Sequence, residues 1–301
     1  MPSPIEVVLV PALMILIGFI LKEKSFLKQS DREILSDIVL YIALPSMIFI
    51  NLHNARISHD MLLLPIAGLV LSFLLLIIAY LYCRIRKYSK KTTWTIMIAA
   101  SLMNTGFIGF PVAFGVYGSE GFLNAIFFDL STSLLIIAYG IILSGKTGKS
   151  KKETVKKSLS FIPIWAVVFA LIFNALGISL PYVADTILDY FAQATIPLIM
   201  ICVGLSLDFK NIKDNLTDSI AVSFIKLIMS PLIISILLSL ANIKGMAFNV
   251  GVLEAGMSTA MSALVLSIAY DLDSNLMGSV IFSDVVLSVF SLTAIITLLG
   301  C

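Results

Sequence analysis

The sequence predicts an all-α polytopic membrane protein of ten transmembrane helices, arranged as two inverted five-helix repeats with crossover helices 4 and 9 broken at mid-span. Three observations lead there. Long apolar runs recur from end to end, and 59% of the 301 residues are hydrophobic while 13% are charged, against about 25% charged in soluble domains. Basic residues gather on alternate connections between those runs. Two runs also carry amide, carboxyl, glycine or proline residues at a depth where lipid offers the backbone no partners. The short alternating segments of a membrane β-barrel do not describe this pattern.

The apolar runs span roughly 5–22, 33–52, 61–83, 93–117, 121–144, 159–178, 184–207, 216–241, 246–270 and 275–299. Most match the length of about 20 residues that crosses the hydrocarbon. The first follows Glu6 directly and lacks a basic flank, so it is expected to be a span of the mature protein rather than a cleaved signal. Tyr80, Tyr82 and Arg84 close the third span and Trp94 opens the fourth, as interfacial residues do. The connections after spans 1, 3, 5 and 7 hold 17 Lys and Arg, whereas the opposite side holds 2, Arg56 and Lys244. The positive-inside rule then places both termini outside the cell membrane. The lysines of 146–158 could also meet anionic lipid or a partner, but topology alone accounts for them. With its charges parcelled into short loops, the net +2 gives no reason to expect a nucleic-acid partner. Cys83, Cys202 and Cys301 are too few and scattered for a disulfide framework or a metal site.

The longest basic loop divides the chain into residues 1–145, a linker at 146–158 and residues 159–301, with five spans on either side. Pro11 and Pro163 lie 152 residues apart, as do Pro45 and Pro197, and Asp129 and Asp284 lie 155 apart. An odd number of spans per half turns the second half upside down in the membrane. That architecture suits alternating access, with a site where the halves meet.

The informative residues are the polar ones inside spans. Span 4 contains Asn104-Thr105-Gly106-Phe107-Ile108-Gly109-Phe110-Pro111, and span 9 contains Glu254-Ala255-Gly256-Met257-Ser258-Thr259. Broken helices at such depth line a cavity or are buried in protein, and their half-helix N-termini suit a carboxylate. Asn104, Thr105, Gly106 and Pro111, with Gly256, Met257, Ser258 and Thr259, are therefore the candidate substrate residues. Small-residue helix packing is the competing reading of either cluster alone. Asp129, Lys226, Glu254 and Asp284 each cost several kcal/mol inside a bilayer unless paired or solvated. They are expected to bind a coupling ion or support the crossover, with Lys226 in a salt bridge. The competing reading caps Asp129 with Ser131, Thr132 or Ser133, and Asp284 with Ser283 or Ser288. His53 and His59 read as solvated loop residues. Asn51, Asn174, Gln193 and Asn249 read as helix amides that bond to neighbouring helices.

These motifs resemble the auxin efflux carrier family, which includes the plant PIN carriers and bacterial permeases. Asn104–Pro111 resembles the family's broken fourth span, and Tyr41-Ile-Ala-Leu-Pro45 its second. Ala194-Thr-Ile-Pro197 through Gly204-Leu-Ser-Leu207 resembles its seventh, and Glu254-Ala-Gly-Met257 the start of its broken ninth. The resemblance implies a scaffold domain and a transport domain, elevator-like movement and small organic-anion substrates: auxin in plants, malate- or malonate-like acids in bacteria. One departure is that the family often has proline after the Met257 position, where Ser258 and Thr259 stand here. Unwinding there would draw on Gly256 and on hydroxyl bonding to the backbone. The plant carriers' long central loop is replaced by 146–158, so regulation through it is not expected.

The expected function is thus secondary active transport of a small carboxylate, with a proton or sodium ion as the candidate coupling ion and no cofactor. A channel is the alternative, but no TVGYG-like filter is present. An enzyme is not expected: His-Glu-x-x-His and Gly-x-Ser-x-Gly patterns are missing from the sequence, and there is no soluble domain to house a nucleotide site. Expected partners are the organic acid and the lipid bilayer. Substrate identity, the direction of flux and the choice between monomer and homodimer are not written in these residues.

Overall fold

A computed structural model of the chain describes residues 4–28, 30–147, 152, 156, 161–207 and 215–300. Among these the structure is all-helical, with a single isolated β-bridge. The helices are α1 (Pro4–Glu23), α2 (Asp31–Ile38), α3 (Leu44–Leu52), α4 (His59–Arg86), α5 (Lys90–Ser101) and α6 (Phe110–Thr147). They continue as α7 (Ile162–Leu176), α8 (Tyr182–Ser206), α9 (Leu216–Phe224), α10 (Ser230–Leu240), α11 (Gly245–Ala255), α12 (Met261–Ala269) and α13 (Ser274–Leu298). Among the described residues, six stretches are long and apolar enough to cross a membrane: Asp31–Leu52, His59–Arg86, Thr105–Gly145, Tyr182–Ser206, Leu216–Leu240 and Ser274–Leu298. Leu62, Phe73, Ile220, Leu232, Ile236 and Phe290 remain exposed along them, as lipid-facing surfaces require. Between the expected ends at 117 and 121, Gly118 interrupts α6 with a φ of 64°. Lys149, Lys151, Lys157, Lys210, Lys213 and Cys301, with most of loop 146–158, lie outside the described residues.

Prolines shape the long helices. The π-turns Val39–Ala43, Thr105–Gly109 and Ile225–Met229 each end two residues before a proline: Pro45, Pro111 and Pro231. Proline lacks an N–H, and its ring crowds the carbonyl four residues back. A wider turn absorbs that crowding and leaves carbonyl oxygens short of partners.

The chain packs as two compact units. The larger holds α4–α6 and α9–α13; the smaller holds most of α1 together with α2, α3, α7 and α8. Each unit therefore draws on both halves of the sequence.

In the smaller unit α1 and α8 touch backbone to backbone through Gly18 and Gly204. A Cβ on Gly18 would lie 2.5 Å from the Ile201 carbonyl oxygen, and one on Gly204 2.7 Å from the Phe19 nitrogen. Lys22 donates to the Leu207 carbonyl at the C-terminus of α8, where helical carbonyls lack partners. Asn174 donates to the Leu52 and Ala55 carbonyls at 3.2 and 2.8 Å, joining α7 to the end of α3 as expected of a helix amide. Asn51 and Gln193 instead bond within their own helices, to Met47 O and Asp189. His53 corrects its reading as solvated: it is 5% exposed. Its ring stacks on Phe49 with centroids 5.4 Å apart, and Nδ1 lies 3.0 Å from the Phe49 carbonyl. The end of α3 supplies both an aromatic face and carbonyls within reach, so the imidazole turns inward. His59 is solvated, with its side chain 81% exposed.

The larger unit has a dense core that includes Leu64, Leu71, Leu75, Ile96, Ile98, Phe122, Ile126 and Phe128. Its polar ends are tied across the sequence. Tyr82 donates to Asp218 at 2.8 Å and Tyr88 donates to the same oxygen, clamping the end of α4 to the start of α9. Lys91 pairs with Asp271 at 3.0 Å, and the Asp273 N–H donates to Thr95 Oγ1 at 3.0 Å.

Candidate functional site

The site is built where two helices stop. α5 ends at Ser101 because Leu102 turns extended (φ −92°, ψ 117°), and the chain becomes helical again at Thr105. α11 ends at Ala255, and α12 begins only at Met261. The two gaps lie side by side, with Met103 and Thr259 forming an antiparallel bridge. The Asn104 N–H donates to the Ser258 carbonyl at 2.8 Å, and the Ala260 N–H donates to the Leu102 carbonyl at 3.1 Å. Each break thereby satisfies backbone groups freed by the other, as burial away from water demands. Met103, Asn104, Met257, Ser258 and Thr259 are all within 1% of complete burial.

Around the first break, the Asn104 carbonyl accepts from Ile108 and Gly109 N–H at 3.1 and 3.0 Å and so seeds the π-turn. No side chain caps that turn's N-terminus. The Asn104 side-chain nitrogen is buried with no acceptor. Thr105 Oγ1 donates to Asp129, whose other oxygen accepts from Ser133 at 3.2 Å. Open space lies beside Gly106, where a Cβ would meet nothing within 4 Å. Gly109 is the opposite case: a Cβ there would fall 2.6 Å from Glu254 Cδ. Glu254 itself has no exposure, and neither carboxylate oxygen has a hydrogen-bond partner. Pro111 is buried just after the π-turn, whose wider coil makes room for its ring.

Around the second break, Gly256 caps α11 and packs on Ile295, leaving no room for a Cβ. The Met257 N–H donates to the Glu254 carbonyl at 3.2 Å, while Ser258 Oγ is buried without a partner. Asp284 is fully buried and accepts from Thr259 N–H (3.1 Å), Thr259 Oγ1 (2.6 Å) and Ser223 Oγ (2.5 Å). Thr259 Oγ1 also lies 2.9 Å from the Ala99 carbonyl. Lys226 is fully buried, and its ammonium donates to the Ala100 carbonyl at 3.4 Å. The two breaks repeat one contact: the threonine of each break, Thr105 or Thr259, hydrogen-bonds the aspartate of the following long helix, Asp129 or Asp284.

The structure thus gathers the candidate residues at a single crossing, with two corrections of detail. Lys226 makes no direct ion pair: the only ones within 4 Å among the described residues are His59–Asp60 and Lys91–Asp271. Of the hydroxyls expected to cap the aspartates, only Ser133 does so. Ser131 and Ser288 bond to carbonyls of their own helices, Phe128 O and Val285 O. A hydroxyl three residues from a helical carbonyl turns back more readily than it reaches a side chain.

Other contributors carried a weaker signal. Ser223, Lys226 and Ser230 fall at i, i+3 and i+7 on one face of the α9–α10 span, and Ser230 donates to the Ala255 carbonyl at 2.7 Å. That spacing marks a polar stripe in an otherwise apolar run. Tyr139, 2.5 Å from Ser101 Oγ behind the first break, follows no local pattern. Among the described residues no group of three or more His, Cys, Asp or Glu could hold a metal ion.

A family model described as "Membrane transport protein" matches residues 5–296. An uncharacterized transporter of Methanothermobacter thermautotrophicus is 39% identical over 289 residues, 95% of each chain. An uncharacterized transporter of Methanocaldococcus jannaschii is 35% identical over 301 residues, 97% of this chain and 96% of its own. The chain therefore belongs to the membrane transport protein family, that of the auxin efflux carriers, and is a transporter-family member rather than an enzyme.

Proposed function

We propose that this protein is a secondary carrier that holds a small organic anion at the crossing of its two broken helices and moves it by elevator-type alternating access. One observation carries the reading: the Asn104 amide is a fully buried donor with nothing to donate to, at a break whose N-terminal N–H groups are uncapped. Buried donors in folded proteins are nearly always satisfied, so an unmatched one at a crossing points to an absent acceptor. A carboxylate supplies two such oxygens. Open space beside Gly106 gives it an approach. Gly256–Thr259 form the opposing wall, with Ser258 Oγ as a second unmatched group.

Ten spans in two inverted repeats, split at 146–158, suit this mechanism. The matched Thr105–Asp129 and Thr259–Asp284 contacts support that repeat. The division into two units, one carrying the whole crossing, supports an elevator in which that unit moves. The basic loops favour termini outside the cell membrane. Glu254, its oxygens unmatched, is the foremost candidate for a coupling proton or sodium ion.

The test is uptake of radiolabelled mono- and dicarboxylates into proteoliposomes under imposed pH and sodium gradients. Saturable flux in the wild type, lost in a folded Asn104→Ala variant, is the expected result. Flux that never saturates, or an Asn104→Ala variant as active as the parent, overturns the proposal.

A further inference from the structure

The two matched aspartates are not in matched surroundings. Asp284 sits among oxygen atoms that together resemble a cation's coordination shell: its own carboxylate, the Thr259 and Ser223 hydroxyls, and the Ala99 carbonyl 2.9 Å from Thr259 Oγ1. The neighbouring Ala100 carbonyl accepts from the Lys226 ammonium. Both carbonyls belong to the last turn of α5, where helical carbonyls lack partners and the dipole is negative. Hard oxygen donors of this kind, placed at an interrupted helix end, suit a small cation. Here the charge is already supplied, because Lys226 is the one buried Lys or Arg among the described residues.

The other aspartate has no such neighbour. Asp129 is bonded by Thr105 and Ser133 hydroxyls, and the buried ionisable group near it is a second carboxyl, Glu254, with both oxygens unpartnered. Thr105 and Thr259 are 154 residues apart; the position 154 residues before Lys226 is Ser72, also buried. Where one half carries an ammonium, the other carries a short hydroxyl.

We infer that Lys226 is a tethered cation: its ammonium, held at the Ala100 carbonyl and not in direct contact with Asp284, supplies the positive charge that a dissolved ion would otherwise bring to this side of the crossing, so no ion exchanges there. The inference rests on the carrier reading above. Its consequence is that any ion coupling passes through the Glu254–Asp129 side alone, and that a transport cycle moves one cation rather than two. Lys226 is a positioning residue in this scheme; it bonds the end of α5 at the Ala100 carbonyl and balances the charge of Asp284, which holds the second break, without touching substrate.

The experiment removes the tether and offers a free ion in its place. Purified full-length protein is melted in sodium chloride and in choline chloride at equal ionic strength. Lys226→Ser keeps the oxygen set and should melt lower than wild type in choline, then rise with sodium and saturate, as a ligand that binds only the folded state requires. Adding Asp284→Asn to that variant should abolish the sodium response. A folded Lys226→Ser variant that melts alike in both salts overturns the inference, as does a wild-type sodium response that Asp284→Asn removes. If Lys226→Ser does not fold in either salt, the charge-neutral double variant Lys226→Met with Asp284→Asn decides. Recovery above both single variants supports charge pairing, and simple additivity overturns it. Because the readout is melting, absence of carboxylate flux in the wild type would defeat the carrier reading and leave this result standing.

Discussion

Gly109→Ala tests the crossing most directly. The added methyl would lie 2.6 Å from Glu254 Cδ and 2.7 Å from Oε1, where ordinary contact begins at 3.4 Å. Oε2 would lie nearer still, so the carboxyl must retreat by more than about 0.8 Å. It has little freedom to do so, because Glu254 and its neighbours Val252, Leu253 and Ala255 are all buried. Forcing extra volume into a packed site costs about 1–3 kcal/mol. At about 2–4 °C per kcal/mol for chains of 150–250 residues, the melting temperature should fall by several degrees. Glu254→Ala alone should cost little, since it removes a buried group with no partners to lose. The double variant should recover most of the stability lost in Gly109→Ala, giving a coupling energy of about 1–3 kcal/mol in a double-mutant cycle. Thermal unfolding of the four purified proteins in one detergent provides the measurement. Effects that add to within about 0.5 kcal/mol would refute the reasoning, because residues in contact do not behave independently.

Thr105→Val and Thr259→Val each remove a hydroxyl from an aspartate and should each cost about 1–3 kcal/mol, read as lowered melting temperatures. Thr259→Val should cost more, since Thr259 Oγ1 also lies near the Ala99 carbonyl. Gly204→Ala should destabilise the smaller unit by about 1–3 kcal/mol, because its methyl would meet α1 backbone at Phe19 N, which cannot swing away. Limited proteolysis should then cut α1 or α8 before the larger unit. Asp218→Ala should free the end of α4 from α9, raising hydrogen exchange at Tyr88–Lys90 while leaving the Asn104 crossing protected.

The crossing was legible because its residues violate the bilayer's rules where they stand. An amide, two glycines and a proline inside an apolar run announce a break, and a carboxyl followed by Ala-Gly-Met-Ser-Thr announces another. Pairing within the crossing was not legible. Asp129 and Asp284 had nearby hydroxyls in sequence, yet Thr105 and Thr259 take most of those roles from across the fold. Sequence neighbours on a helix point 100° apart, whereas the break brings a distant threonine to the aspartate's own face. Lys226 was visible as a buried charge, but its acceptor is a backbone carbonyl, and backbone acceptors carry no residue signature. The reading of His53 fails for a related reason: the aromatic face and backbone carbonyls that draw it inward belong to the end of its own helix. The two packing units were hidden as well, since each combines segments from both halves of the chain.

The short ladder between the breaks also bears on how the protein is made. Met103 leaves the ribosome 156 residues ahead of Thr259, the residue it pairs with. At about 5–20 residues per second, that interval is roughly 8–30 s. Throughout it, the Leu102 carbonyl and the Asn104 N–H have no protein partner in place. A nascent chain in that state must keep this stretch out of hydrocarbon, held in the insertion machinery or at the wet surface, until the later segment arrives. Completion of this fold is therefore an end-of-synthesis event, and a chain cut short before residue 258 should be cleared by quality control rather than accumulate.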